Sequence, residues 1–323
     1  MCGAMAVDVL SDVLQAVQLT GVVFFDFNLT APWVAEAPPS STIAAQVIPG
    51  AERVFEYHFI AEGSAWGQLV DGTPLRLREG DFLVFPHGSA HVLSSAPGLR
   101  AEPDFSIYAR GDTPLPLLFE RGGPGDERTR LVCGFFGCDE RPYNPLLLAL
   151  PQVIHLPAAA PDALARPLGT LLHMTVQESR RDRPGSRNVL TRLAELTFVE
   201  AVRRYLAEMP ASQHGWLAGL RDPVVGPALA ALHGAPRDSW TVEGLGRAVG
   251  VSRSVLAARF TDVVGHPPMH YLTLWRMQLA SRLIRDGRPI ADVADAVGYE
   301  SQAAFSRAFR KVVGEWPSSW QRR

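Results

Sequence analysis

The sequence predicts an α+β protein: an N-terminal antiparallel β-barrel, a helical linker, and an all-α C-terminal domain with two helix-turn-helix units. Three observations carry that prediction. Residues from about 20 to 140 run in short apolar stretches broken by turn signals. From about 162 to 221, apolar residues recur every three or four positions, the period of a helix. After Asp222 one pattern of short helices occurs twice, with Gly250 and Gly298 48 positions apart and Phe260 and Phe309 49 apart.

The first domain, 1–160, is read from runs such as Gly21-Val22-Val23-Phe24-Phe25, Val54 to Ile60 and Asp81 to Phe85. Asp71-Gly72, Glu79-Gly80 and Pro86-His87-Gly88 punctuate them at strand-like spacing, as in an antiparallel sandwich or barrel. The linker, 161–221, centres on a helix from Ser186 to Glu208. Its apolar stripe is Val189, Leu190, Leu193, Leu196, Val199, Val202 and Leu206, with Gly185-Ser186 as start and Pro210 as stop. That stripe can pack on the barrel or on the same helix of a second chain, as in a homodimer.

At 323 residues, with 47% apolar and 20% charged residues, the chain can bury two or three ordinary cores. It has no run of eighteen apolar residues, so no membrane span is expected. The opening Met1-Cys2-Gly3-Ala4-Met5 lacks the features of a secretory signal. Three cysteines make no disulfide framework, and a cytoplasmic location is expected. The net charge of −2 conceals an asymmetry. Residues 222–323 carry 13 Lys and Arg against 9 Asp and Glu, while the rest carries 18 against 24. A basic C-terminal part on an acidic body suits contact with nucleic acid by one domain.

Each copy of the repeat has the physics of a helix-turn-helix, the first at about 241–263 and the second at about 290–312. A short amphipathic helix ends at Gly250 or Gly298, where glycine accepts the left-handed conformation that stops a helix. Ser252 or Ser301 then offers a hydroxyl to cap the next helix. Small Ala248 and Ala296 are expected to let the paired helices approach. Leu256 and Phe260, or Phe305 and Phe309, face inward and leave the opposite face for double-stranded DNA. Between the copies, Met269 to Arg285 reads as one helix with Leu272, Trp275, Leu279 and Leu283 as its stripe. A rod of roughly 25 Å can hold two recognition helices about one DNA turn apart.

Residues 222–323 resemble the DNA-binding domain of the AraC/XylS family of transcription activators. The resemblance rests on Gly298-Tyr299-Glu300-Ser301-Gln302, Phe305, Arg307, Phe309, Gly314 and Pro317. It implies that Ser254, Ala257 and Ala258 of the first recognition helix, and Gln302, Ala303, Ala304 and Arg307 of the second, face base edges. It also implies RNA polymerase as a partner. Chemistry ranks these positions: Arg307 can grip guanine and Gln302 adenine, each with two hydrogen bonds, whereas Ala257 and Ala258 offer apolar contact to a thymine methyl. Arg253 reads a base or holds phosphate, and Arg310 and Lys311 suit phosphates. The second helix is therefore expected to supply more of the discrimination.

Residues 20–140 are similar to the cupin-type sensory domain of a subgroup of that family, which includes regulators responding to reactive chlorine and other electrophiles. The matching residues are His58, Gly80 to Pro86, His91, Leu131 to Gly134, Asn144 to Leu147 and Leu150-Pro151. The implied inducer is a small molecule, an oxidant or a metal. Cupin enzymes hold their metal with a His-x-His pair, a Glu and a later His. Here Glu56-Tyr57-His58 is one histidine short, which argues against the alternative of a metal-dependent cupin enzyme fused to a DNA-binding domain; no catalytic residues are expected. His58, His91 and Cys133 can converge as ligands suited to zinc, or serve as ordinary core residues. Cys133 and Cys138 would face opposite sides of a single strand, but a turn at Gly134 or Gly137 would join them as a reversible redox disulfide.

Overall fold

The computed structural model describes residues 7–109, 113–158, 165–180, 183–210 and 213–322, which divide into two compact units. The first unit is Leu19–Asp139 with Leu150–Glu208. Its strands are β1 (Thr20–Thr30), β2 (Val34–Ala37), β3 (Arg53–Glu62), β4 (Ser64–Leu69), β5 (Leu75–Arg78), β6 (Phe82–Phe85), β7 (His91–Ser94), β8 (Leu117–Gly122), β9 (Arg128–Cys138) and β10 (Ile154–Leu156). They form a six-stranded sheet ordered β10-β6-β3-β9-β1-β8 and a four-stranded sheet ordered β2-β7-β4-β5. Of the antiparallel sandwich or barrel expected, the structure has two separate sheets that do not close into a barrel, and β8 runs parallel to β1.

Strand parity explains the long apolar run of β3. Val54 and Ile60 face the core between the sheets with Phe24, Leu83, Phe85 and Phe135. Phe55 and Tyr57 face the other way, packing on Phe136 with ring centres 5.3 and 4.6 Å away, the first pair tilted and the second stacked. Phe55 and Phe136 in turn meet Phe198 of a covering helix. Both faces of β3 are buried, so apolar residues run without alternation.

Helices α1 (Val9–Ala16), α2 (Ala44–Val47) and α3 (Pro145–Ala149) interrupt or flank the strands, and α4 (Ala165–Ser179) pairs with α5 (Ser186–Glu208). The sequence places α5 correctly, and of its stripe Leu190, Leu193 and Val202 are buried as read, but the covered face is turned towards Ala194 and Phe198. Leu190, Leu193, Ala194, Thr197, Phe198, Ala201 and Val202 are buried, while Val189 and Leu196 are exposed.

The second unit is residues 1–18, Glu140–Ala149 and Met209–Arg323. It contains α1, α3, α6 (Trp216–Arg221), α7 (Val225–Gly234), α8 (Val242–Ala248), α9 (Arg253–Val264), α10 (Pro268–Arg285), α11 (Ile290–Ala296), α12 (Gln302–Val313) and α13 (Pro317–Trp320). The division thus differs from the 1–160, 161–221 and 222–323 read along the chain. α4 and α5 belong with the sheets, while α1 and α3 belong with the C-terminal helices. One side chain accounts for much of this: Gln278 of α10, fully buried, accepts from Tyr143 N and donates to Ala16 O, both at 3.1 Å.

Candidate functional site

Two places carry chemistry. In the helical unit, Ser252 caps α9 by accepting from Val255 N at 3.3 Å, and Ser301 caps α12 by accepting from Ala304 N at 3.2 Å. Gly250 and Gly298 take φ of +76° and +79°, the left-handed turn that ends α8 and α11. The small residues at the close approach are Gly246 and Ala294, both buried, and not Ala248, which is exposed, or Ala296, which is half-buried. A β-carbon on Gly246 would lie 2.8 Å from Val251 O.

The connector α10 starts one residue earlier than read, and its buried face is wider. Tyr271, Leu272, Trp275, Met277, Gln278, Ala280, Ser281 and Ile284 are buried, with Leu279 and Leu283 only half-buried. Arg259 of α9 is held by Asp222 at 2.7 Å, and Asp222 also accepts from Val224 N and Val225 N at the start of α7.

Of the residues read as DNA-facing, Arg253, Ser254, Ala258, Gln302, Ala303, Arg307, Arg310 and Lys311 are exposed, and Ala257 and Ala304 are half-buried. At 100° per residue, Ser254, Val255, Ala258, Thr261 and Asp262 stand opposite the buried Leu256 and Phe260 of α9. On α12, Ala303, Arg307, Arg310 and Lys311 stand opposite Phe305 and Phe309. The Arg310 guanidinium lies over the Trp316 ring at 4.6 Å, which orients it. Val255, Thr261 and Asp262 were missed by the sequence reading; their signal lay in aligning the two copies position by position.

In the sheet unit, a cavity of about 140 Å³ opens between the sheets. Phe25, Phe27, Leu29, Trp33, Leu93 and Tyr108 line it, with Glu56, His58, His91 and Cys133. Glu56 and His58, two apart on β3, point the same way, and His91 reaches them from β7 of the other sheet. His58 Nε2 lies 2.7 Å from His91 Nε2, and Glu56 Oε2 lies 3.3 Å from His91 Nε2 and 3.7 Å from His58 Nε2. His91 Nδ1 lies 2.9 Å from Ser89 O. A carbonyl can only accept, so Nδ1 is assigned the proton and Nε2 presents its lone pair to the cluster. Burial, reinforced by His91, holds the His58 pKa well below its ordinary value, so the ring is neutral. Glu56 Oε1 and His58 Nδ1 are buried without hydrogen-bond partners.

Two imidazole rings, a carboxyl group and orphaned polar atoms form a donor set that fits a divalent cation. Among the described residues, Glu56, His58 and His91 are the group whose ligand atoms all lie within 4.8 Å of one another. The structure brings Glu56 to His58 and His91 at the place where the sequence expectation put Cys133. Cys133 pairs with His58 across the sheet and lines the cavity, but its sulfur is not part of that group.

The redox pairing is also corrected. Cys133 and Cys138 lie on one continuous strand, β9, where five residues span roughly 17 Å and put the side chains on opposite faces. A disulfide needs Cα atoms within about 7 Å. Both thiols are buried, and burial, followed by the charges of Glu56 and Asp26, pushes the Cys133 thiol well above its ordinary pKa, away from the reactive thiolate. Among the described residues, no helix is long and apolar enough to cross a membrane.

Comparison with known families agrees with this geometry. A family model described as Cupin matches residues 8–207, and one described as Helix-turn-helix domain matches 245–323. An AraC-like transcription regulator of Streptomyces lividans is 37% identical over 84% of this chain and 88% of its own length. The HTH-type transcriptional regulator AlkR of Acinetobacter baylyi is 31% identical over 82% and 86%. The RCS-specific HTH-type transcriptional activator RclR of Escherichia coli is 26% identical over 85% and 86%.

Proposed function

The chain belongs to the AraC-like transcription regulators, with a cupin domain ahead of a helix-turn-helix DNA-binding domain, and we propose from that premise which of its residues read DNA and which receive the signal. It is a DNA-binding regulator, and its relatives lend no support to an enzyme. In the proposed reading, α12 is the principal reader: Arg307 grips a guanine, Gln302 an adenine, and Arg310 and Lys311 hold phosphates. Arg253, Ser254, Ala257 and Ala258 of α9, with Ala303 and Ala304 of α12, complete the interface.

The supporting observation is the outward row Ala303, Arg307, Arg310 and Lys311 opposite Phe305 and Phe309. The test is selection of duplexes from a random pool, followed by affinity measurement on single-base variants. Arg307→Ala is expected to flatten the preference at one position, a loss of about 1–3 kcal/mol for the preferred base only. Equal weakening on every duplex would make Arg307 a phosphate contact.

The cavity between the sheets is the proposed signal site. Glu56, His58 and His91 would hold a divalent ion, zinc among the candidates, which supplies a Lewis-acid centre to a ligand's donor atom when bound. Elemental analysis of the purified chain is expected to find about one equivalent, and His91→Ala to lose it. A metal content unchanged in that variant refutes the assignment.

A homodimer through α5 completes the reading. Its outward face carries the apolar Val189, Leu196, Val199 and Leu206, which map onto one another when the helix is reversed about its middle, while Arg192 and Arg203 are neutralised within the helix by Glu195 and Glu200. A two-fold axis requires such a self-complementary patch. Leu196→Glu is expected to shift the sedimentation coefficient to that of a monomer. RNA polymerase is the partner expected for the bound regulator, read out by in vitro transcription from a selected site.

A further inference from the structure

The two helix-turn-helix copies superpose in sequence with an offset of 49 after their capping serines, which pairs Val255 with Ala304, Ala258 with Arg307, Thr261 with Arg310 and Asp262 with Lys311. At three matched outward positions α12 carries Arg, Arg and Lys where α9 carries Ala, Thr and Asp. The outward face of α9 therefore has no cation beyond Arg253 at its first residue; Arg259 lies to the side, bound to Asp222.

The hydroxyls of the α9 face bond within the helix and its cap, and the Asp262 carboxylate lies 3.9 Å from His214 Nε2. Thr261 Oγ1 donates to Ala257 O at 2.7 Å. Ser254 Oγ and Ser252 Oγ share a hydrogen bond at 3.1 Å, and Ser252 Oγ also receives Val255 N. Beside the Asp262 carboxylate, the face offers a row of methyl groups at i, i+3 and i+6: Val255, Ala258 and Thr261. Val255 is 51% exposed, so its methyl groups are free to meet a partner.

We propose that this row is a thymine-reading ridge: α9 recognises the 5-methyl groups of an A·T-rich half-site in the major groove, while α12 supplies the charge that holds the complex. The inference rests on the DNA-reading assignment above and adds Val255 and Thr261 to it as specificity-determining residues. The occupant follows from the surface. The face is continuous with the capped N-terminal turn of a recognition helix, it is apolar and carries Asp262, and it cannot compensate phosphates. The thymine methyl is the one apolar group that the major-groove edges of the bases present. The operator is consequently polar in direction, with a thymine-rich half under α9 and a guanine-containing half under α12.

The test uses the full chain and a duplex enriched from a random pool. Each thymine in the enriched site is replaced singly by deoxyuridine, which deletes one methyl and leaves every hydrogen-bonding group in place. Replacements in one half-site are expected to weaken wild-type binding about fourfold per contacted methyl. In Val255→Ala and in Thr261→Ser, which keeps the hydroxyl bond to Ala257, the ratio at the contacted thymine is expected to fall towards one. The slope of log affinity on log salt should stay unchanged in both, whereas Lys311→Ala should lower it by about one. Thymine and deoxyuridine binding equally at every position would overturn the ridge and leave the regulator intact. A full methyl effect persisting in both variants would also overturn it. A pool that never enriches overturns the DNA-reading assignment and the ridge together.

Discussion

The turn glycines Gly250 and Gly298 are equivalent in the repeat yet differ in what surrounds them, and replacing each with alanine separates two energies. Gly250 has φ +76° and open space where a β-carbon would go. Gly250→Ala should therefore cost only the left-handed penalty of an L residue, roughly 1–2 kcal/mol. Gly298 has φ +79°, and a β-carbon there would lie 2.2 Å from Arg237 O and 2.9 Å from Arg237 C and Cα. Relief requires the 235–240 segment to retreat by about 1 Å, to ordinary contact. That segment is pinned: Arg276 donates to Pro236 O at 2.6 Å and to Asp238 O at 2.8 Å, and Trp240 Nε1 donates to Ala235 O at 2.9 Å. Loosening even one of the Arg276 bonds adds about 1.5–3 kcal/mol, so Gly298→Ala should cost roughly 3–5 kcal/mol. Urea unfolding of the full chain followed by tryptophan fluorescence measures the difference. Five of the seven tryptophans, Trp216, Trp240, Trp275, Trp316 and Trp320, lie in the helical unit. Equal midpoint shifts for the two variants, or a larger shift for Gly250→Ala, would refute the reasoning.

Two further outcomes follow from buried polar groups of the helical unit. Gln278→Leu strands Tyr143 N and Ala16 O in a dry interior and is expected to cost about 2–5 kcal/mol in the same urea assay, with a shift below 1 kcal/mol counting against the bridge. His233 is buried, stacked on Trp275 at 4.2 Å, and its Nε2 lies 2.7 Å from Tyr271 Oη, which itself accepts from Trp216 Nε1. Burial lowers its pKa, opposed by Asp12 at 3.6 Å. The unfolded chain then binds the proton more readily. Stability from this group is full above about pH 6.5 and is lost as pH falls from there through the depressed folded value, by at most about 1.4 kcal/mol per pH unit. The unfolding midpoint of wild type should fall between pH 7 and 5 more steeply than that of His233→Phe, and parallel profiles would refute the assignment.

What the sequence disclosed and what it hid divide along a physical line. The helix-turn-helix copies were legible because each is local. Ser252 and Ser301 cap the helix that begins at the next residue, Gly250 and Gly298 stop the one before, and Phe260 and Phe309 sit a fixed number of turns on. Duplication supplied a second reading of every position. Parity along a strand was equally legible: it already set Cys133 and Cys138 on opposite faces, and invoking a turn at Gly134 or Gly137 discarded a correct inference, since β9 runs unbroken to Cys138.

The losses are all matters of what lies across from what. The stripe of α5 was misjudged because Val189 and Leu196 have the same period as Leu190 and Leu193, and only the sheet beneath decides which row is covered. Glu56 and His58 share a face by parity, but their meeting with His91 depends on β7 lying in the opposite sheet, some thirty residues away in sequence. Cys133 was the tempting ligand because sulfur and imidazole suit zinc, and it is indeed the cross-strand neighbour of His58. Yet its sulfur lies outside the group of ligand atoms that come within 4.8 Å of one another, and that group is closed by a ring from the opposite sheet. A carboxylate two residues along the same strand and a histidine facing it from the other sheet make up that group with His58. The E-x-H that counted as a defect in a histidine pair is therefore the part of the pattern most informative about the site.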